Sequence, residues 1–306
     1  MKLNKLFLFI PLLAVICAVF GFYSGAGDNH GTSAVYGTTD LHNAPQIGPG
    51  YIGTDVAGAW SAGQNVLQNR FNGEGVGYWR NDTAWQYMMG GDIDGTGNEQ
   101  TRMDKYNVNT NTWTTSTAMT VALGYFGAAR LKDSIYTMGG FAGSGGAFTS
   151  TVTTVQKYDI IAGTWTTRAP LPEVIGWPAG AGYQDSILYT VGGLNLGGSN
   201  AFANVYVYNA NTNTWRAGTP LPIPRVGGAM TIVGDTIVYI GGNSGYFGTP
   251  TNVVYKGLIS QANRSNITWS TGTAYPGTNK WRFKASPWGC KGLILTAGGP
   301  GGFTIG

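Results

Sequence analysis

Five Gly-Gly pairs, each ending a short β-branched or aromatic run, punctuate this chain at Gly90-Gly91, Gly139-Gly140, Gly192-Gly193, Gly241-Gly242 and Gly298-Gly299. Their spacings of 49, 53, 49 and 57 residues leave room for little except a repeated supersecondary unit. Behind each of the first four pairs comes a Gly/Ser/Asn-rich loop, a second run containing Tyr, and then a Trp. Tyr106–Trp113, Tyr158–Trp165 and Tyr208–Trp215 keep an interval of seven; in the fourth copy Trp269 lies fourteen residues after Tyr255, which predicts a longer hairpin through 259–266.

Turn residues fall where such a unit must reverse. Arg80-Asn81-Asp82, Lys132-Asp133-Ser134, Gln184-Asp185-Ser186 and Gly234-Asp235 separate first from second strands, while Asn109–Thr112, Ile161–Gly163 and Asn211–Thr214 separate third from fourth. The paired glycines supply positive φ, or space where a Cβ would meet neighbouring backbone. With 50 glycines and only 10% charged residues, disorder is the competing reading, but 42% hydrophobic and 13% aromatic residues are enough to build a core. The Tyr and Trp markers are therefore expected to be core.

Gly-Gly, then Tyr, then Trp at a period near 50 resembles the kelch repeat, over roughly Asn69 to Gly306. The resemblance implies an all-β fold: a kelch-type β-propeller of four-stranded antiparallel blades, with four full repeats and a partial fifth in an incomplete ring. The run ending at Trp60 resembles the last strand of a blade, so a smaller ring closed by that strand stays open as the alternative. The expected organisation is a signal peptide over 1–26, a leader over 27–60 with a ring-closing strand, and the propeller over 61–306.

Lys2 and Lys5, the apolar stretch Leu6–Phe20, and Ser24 and Ala26 before the cut describe a secretory signal. The expected location is therefore secreted or cell-surface, or the periplasm, with no membrane span after cleavage. Cleavage leaves 16 basic against 14 acidic residues, which offers nucleic acid no basic stripe. It also leaves Cys290 as the one cysteine, so no intramolecular disulfide can form.

Antiparallel blades sort their loops. Those after second strands and between blades share one face and are long and varied, whereas the turns within hairpins share the other and are tight. Recognition belongs on the varied face. Phe141, Phe148, Trp177, Tyr246 and Phe247 there offer aromatic planes, and Glu173, Arg225 and Arg282 offer directed polar contacts; the mixture suits a glycan or an extracellular protein. Trp281 lies in the same loops. Asp92-Ile93-Asp94-Gly95 begins like a calcium loop but loses the pattern at Thr96 and Met103, so a solvated acidic turn is the expected reading of Asp92 and Asp94.

No catalytic residues, metal site or cofactor are expected. Both histidines, His30 and His42, precede the repeats, which removes zinc, Ser-His-Asp and Cys-His constellations from the domain. The reading is an exported binding or adhesion module. Some exported bacterial kelch proteins resemble metal-free sugar epimerases or mutarotases, which makes a carbohydrate-processing enzyme the alternative; a spacer in a larger surface protein is the third.

Overall fold

The computed structural model describes residues 63–93, 97–143, 148–197, 200–245, 248–276, 279–288 and 292–295, without the side chains of 148–149, 287–288 and 292–295. The signal, the leader with Trp60, Asp94, Tyr246, Phe247, Cys290 and the fifth Gly-Gly pair lie outside the described residues.

Four antiparallel four-stranded sheets follow one another along the chain. Blade 1 holds β1 (Glu74–Arg80), β2 (Thr83–Met89), β3 (Met103–Asn107) and β4 (Thr112–Thr115). Blade 2 holds β5 (Gly127–Leu131), β6 (Ser134–Met138), β9 (Val155–Asp159) and β10 (Thr164–Thr167), with a small hairpin of β7 (Phe141–Gly143) and β8 (Phe148–Thr151) in its long loop. Blade 3 holds β11 (Ala179–Tyr183), β12 (Ile187–Val191), β13 (Val205–Asn209) and β14 (Thr214–Ala217). Blade 4 holds β15 (Ala229–Val233), β16 (Thr236–Ile240), β17 (Val254–Ile259) and β18 (Ile267–Thr271). A fifth, partial sheet pairs β19 (Ala285–Trp288) with β20 (Gly292–Leu295).

Local chemistry accounts for the turns. Asn81 and Asp82 both take positive φ (49° and 55°), as a two-residue hairpin between right-twisted strands requires. Asn111, Gly163 and Asn213 do so in the outer hairpins. Every glycine of the first four pairs also has positive φ, and a Cβ on Gly139 or Gly192 would fall on a main-chain carbonyl of the loop leading to the next blade, that of Ile175 or Arg225. Both uses foreseen for the pairs, backbone conformation and close approach, are realised together.

The core lies between blades. Val76, Tyr78, Tyr87, Met89 and Met103 of blade 1 pack on Leu123, Phe126, Ile135 and Tyr158 of blade 2, and the same interdigitation recurs at the next two junctions. Tyr87 and Tyr136, shut in these layers, have their phenol pKa pushed up to about 12, mainly by burial. Inner-strand tyrosines bridge junctions with directed bonds: Tyr78 Oη donates to Asp133 and Tyr183 Oη to Asp235, each over 2.5 Å.

The Tyr–Trp marker is a packed pair with a polar task. Tyr106–Trp113, Tyr158–Trp165 and Tyr208–Trp215 stack with ring centroids 5.0, 5.1 and 4.9 Å apart. Each Trp is only half-buried, and its indole N–H donates to the chain before its own blade: Trp113 to Gln64 O, Trp165 to Thr117 O, Trp215 to Ala169 O and Trp269 to Thr219 O, at 2.9–3.1 Å. These are rim staples rather than deep core. In the fourth copy the register corrects the expected partner. Trp269 lies opposite Gly257, not Tyr255, and its ring covers the place a Cβ would take there.

Candidate functional site

Just ahead of each inner strand one residue adopts the left-handed region: Asn72, Tyr125, Trp177, Gly227 and Arg282, with φ of 54–65°. Main-chain hydrogen bonds join them in series, from Tyr125 N to Asn72 O (2.9 Å), Trp177 N to Tyr125 O (2.7 Å), Gly227 N to Trp177 O (3.5 Å) and Arg282 N to Gly227 O (2.8 Å). Five blade entries are thereby drawn together on the long-loop face. The spacings of 53, 52, 50 and 55 residues repeat the Gly-Gly beat, so the ring was present as a period in the sequence. Its mixed residue types concealed it.

Over this ring lies a compact aromatic cluster. Tyr125 and Trp177 meet edge to face at 4.3 Å, Phe141 joins them at 5.1 and 5.9 Å, and Trp281 reaches Trp177 at 5.2 Å. The guanidinium of Arg282 stands over three of the rings, 4.3 Å from Trp281, 4.5 Å from Trp177 and 5.5 Å from Tyr125. Arginine suits this place because its plane stacks on aromatic faces while its N–H groups keep their directions.

The expected site residues divide accordingly. Trp177 and Arg282 come together, with Phe141 beside Trp177. Phe141 is 1% exposed and Trp177 8%, so these rings pack against one another instead of standing as open planes. Glu173 is half-buried and held by Asn204 and by Tyr206, whose hydroxyl donates to it at 2.7 Å. The Tyr206 phenol pKa is pushed up to about 12 by burial and then by that bond. Arg225 lies in the loop between blades 3 and 4, where its carbonyl accepts from Gly193 N and its Nη1 donates to Pro224 O. Phe148 contributes backbone to β8, opposite Gly143.

Asp92 is corrected in one respect. It is wholly buried rather than solvated, and its Oδ2 accepts the Gly97 N–H at 2.7 Å, closing its own loop. The cause is its position directly after the glycine pair, where Phe141, Leu194 and Asn243 are also buried. Among the described residues no three His, Cys, Asp or Glu side chains gather as a metal site would need. Tyr125 was missed as a cluster member, although it stands in the same place as Trp177 in the repeat.

Beneath the ring, the inner strands of all five sheets surround a channel of about 310 Å³. Lys284, from the lead into β19, donates to Glu74 of β1, one ion pair linking the first and fifth sheets across it. Burial, outweighing the nearby Lys284 ammonium, raises the Glu74 carboxyl above its ordinary range. A raised folded-state pKa means that the native protein binds this proton more tightly than the unfolded chain. The contribution is therefore present below the ordinary carboxylate pKa and lost as pH rises through the raised value. The urea midpoint of the wild type, measured against that of Glu74→Gln, is expected to fall across that interval; a flat difference would contradict the assignment.

Residues 122–172 and 178–222 match the Kelch motif. The other blades copy the strand order and glycine geometry of the matched residues, and the four full sheets with one partial sheet are consistent with an incomplete kelch-type propeller. Among curated proteins the chain is similar to the kelch-like protein terF of Aspergillus terreus (32% identity over 155 residues, 49% of this chain and 33% of that protein). It is also similar to the human kelch-like protein 34 (25%; 46% and 22%) and the Xenopus tropicalis kelch-like protein 25 (26%; 43% and 23%). The matched part thus spans no more than a third of these relatives. The solved structure of YjhT superposes with a TM-score of 0.55 at 16% identity, covering 69% of this chain and 68% of that one, a likeness of fold alone. No helix among the described residues is long and apolar enough to cross a membrane.

Proposed function

We propose that this chain is an exported interaction module that recognises a glycan or a protein on its long-loop face, with Arg282 as the directed contact at the axis. The observation that carries the reading is the guanidinium of the half-buried residue Arg282 stacked on Trp177, Trp281 and Tyr125. A cation held by rings loses little entropy on meeting a carboxylate or hydroxyl, and the surrounding loops differ from blade to blade, which is where selectivity is usually built. Export rests on the Lys2–Ala26 pattern and is tested by fractionation with and without those residues.

Arg282→Ala is expected to weaken binding to whichever glycan or peptide an array identifies by about tenfold or more, the loss of a charge-assisted bond. Arg282→Lys should recover only part of it, since an ammonium keeps the charge but loses the planar stack. Equal binding by all three proteins, with unchanged unfolding midpoints, would remove Arg282 from the site. A carbohydrate-processing centre would need a carboxylate and an arginine converging in one pocket. On the long-loop face, Glu173 is engaged by Asn204 and Tyr206.

A further inference from the structure

The channel ends under the ring. Its walls include Glu74, Gly127, Pro178, Gly228 and Lys284, each one or two residues past a ring member, but none of the five ring residues themselves. In the opposite direction the walls continue to Lys132, Gln184 and Asp185, which belong to the tight turns of blades 2 and 3. The walls thus stop short of the serial main-chain bonds at the long-loop end, while the tight-turn end is lined by exposed and half-exposed side chains.

Inside, β1, β5, β11, β15 and β19 are all edge strands of their sheets. Glycine and alanine are frequent along them, as at Gly75, Ala128, Gly180 and Gly182, which leaves main chain near the channel surface. Among the described residues its charged side chains are three cations, Arg130, Lys132 and Lys284, against two acids, Glu74 and Asp185; Lys284 pairs with Glu74 and Lys132 with Asp185, so the balance is one positive charge. Lys284 is paired with Glu74, and its side chain is nonetheless 59% exposed within the ring of blades. A narrow cleft with a cationic excess concentrates anions, and 310 Å³ lies at the small end of ligand pockets.

We infer that the central channel is a second binding site, separate from the long-loop face, which admits a small anion bearing a carboxylate or phosphate group from the tight-turn face and holds it at Lys284. Acetate and inorganic phosphate serve as the two probes, in separate thermal-unfolding titrations of the whole chain. At least one should raise the unfolding midpoint of the wild type, and which one does identifies the anion class. The rise should be abolished in Lys284→Gln and kept in Lys157→Gln, a lysine outside the channel. No rise with either probe, or an equal rise in Lys284→Gln, overturns the inference.

A second measurement does not depend on guessing the anion. In a Cys17→Ser, Cys290→Ser background, Ser286→Cys places a thiol in the channel wall. A sulfonate-bearing methanethiosulfonate should label it at least about fivefold faster than a trimethylammonium one, once each rate is divided by that of a free thiol. Lys284→Gln should remove the preference. Equal or reversed selectivity, or labelling by a bulky polymer maleimide at the rate of a small one, would show that no enclosed cationic channel exists.

Discussion

Asp104→Ala is expected to lower the stability of the propeller by about 3–5 kcal/mol, the usual consequence of leaving a buried charge without its partner. Asp104 is 1% exposed and receives the guanidinium of Arg70, which is itself fully buried, and that of Arg102. Arg70 also donates to the carbonyls of Arg102 (2.9 Å) and Gly90 (3.4 Å), fixing the entry to blade 1 against its third strand. Burial lowers the Arg70 pKa, and Asp104 is the main influence opposing it. Once the carboxylate is gone, Arg70 must find water or unfold its segment. Arg102→Ala should cost only about 1 kcal/mol, because the Arg102 side chain is 31% exposed and its pairing is screened. Urea unfolding of the two variants checks the contrast; an Asp104→Ala protein within 1 kcal/mol of wild type would show that the cluster contributes little.

Phe141→Ala should be comparably damaging, at about 3–5 kcal/mol, because it removes a large ring from a site with little room to collapse. Phe141 is 1% exposed, and its main chain exchanges hydrogen bonds with Gly124 at 2.7 and 3.0 Å. Its ring packs on Tyr125 and Trp177 and fills the space where a side chain at Gly176 would stand. Phe141→Leu, which keeps much of the volume, should recover most of the loss. The sequence alone placed Phe141 and Trp177 as aromatic planes offered by the varied loop face. Ligand binding by these variants is therefore informative only below their lowered unfolding temperatures. A Phe141→Ala protein that unfolds with the wild-type midpoint would return this ring to the surface.

The repeat architecture was legible because its markers are local. Gly-Gly requires positive φ and close approach, Asn and Asp occupy hairpin turns, and each requirement recurs near 50 residues, so the four blades could be counted before their strands were seen. The fourth copy was misaligned because Tyr255 and the position facing Trp269 differ by two residues. A shift of two keeps the same side chains on the same face, so the hydrophobic pattern could not reveal it.

The candidate site was only partly legible. Aromatic side chains in loops look alike in a sequence whether they point to water or to one another, and the tight packing of Tyr125, Phe141, Trp177 and Trp281 comes from residues up to 156 positions apart. Gln156 shows the same limit. It occupies in blade 2 the strand position of Asp104, and its Oε1 accepts from the Thr120 N–H and hydroxyl and the Val121 N–H, the same clasp made without charge.

The sequence by itself determined the class of fold, the number of recurring units and the face bearing the varied loops, because those follow from short-range backbone requirements repeated along the chain. The tertiary structure decided what the loops do: which rings are buried, that Arg282 stands over them, that five blade entries are bonded in series, and that a channel lies beneath with Lys284 inside. Each of these depends on side chains from different blades meeting near one axis, and no local preference specifies that meeting.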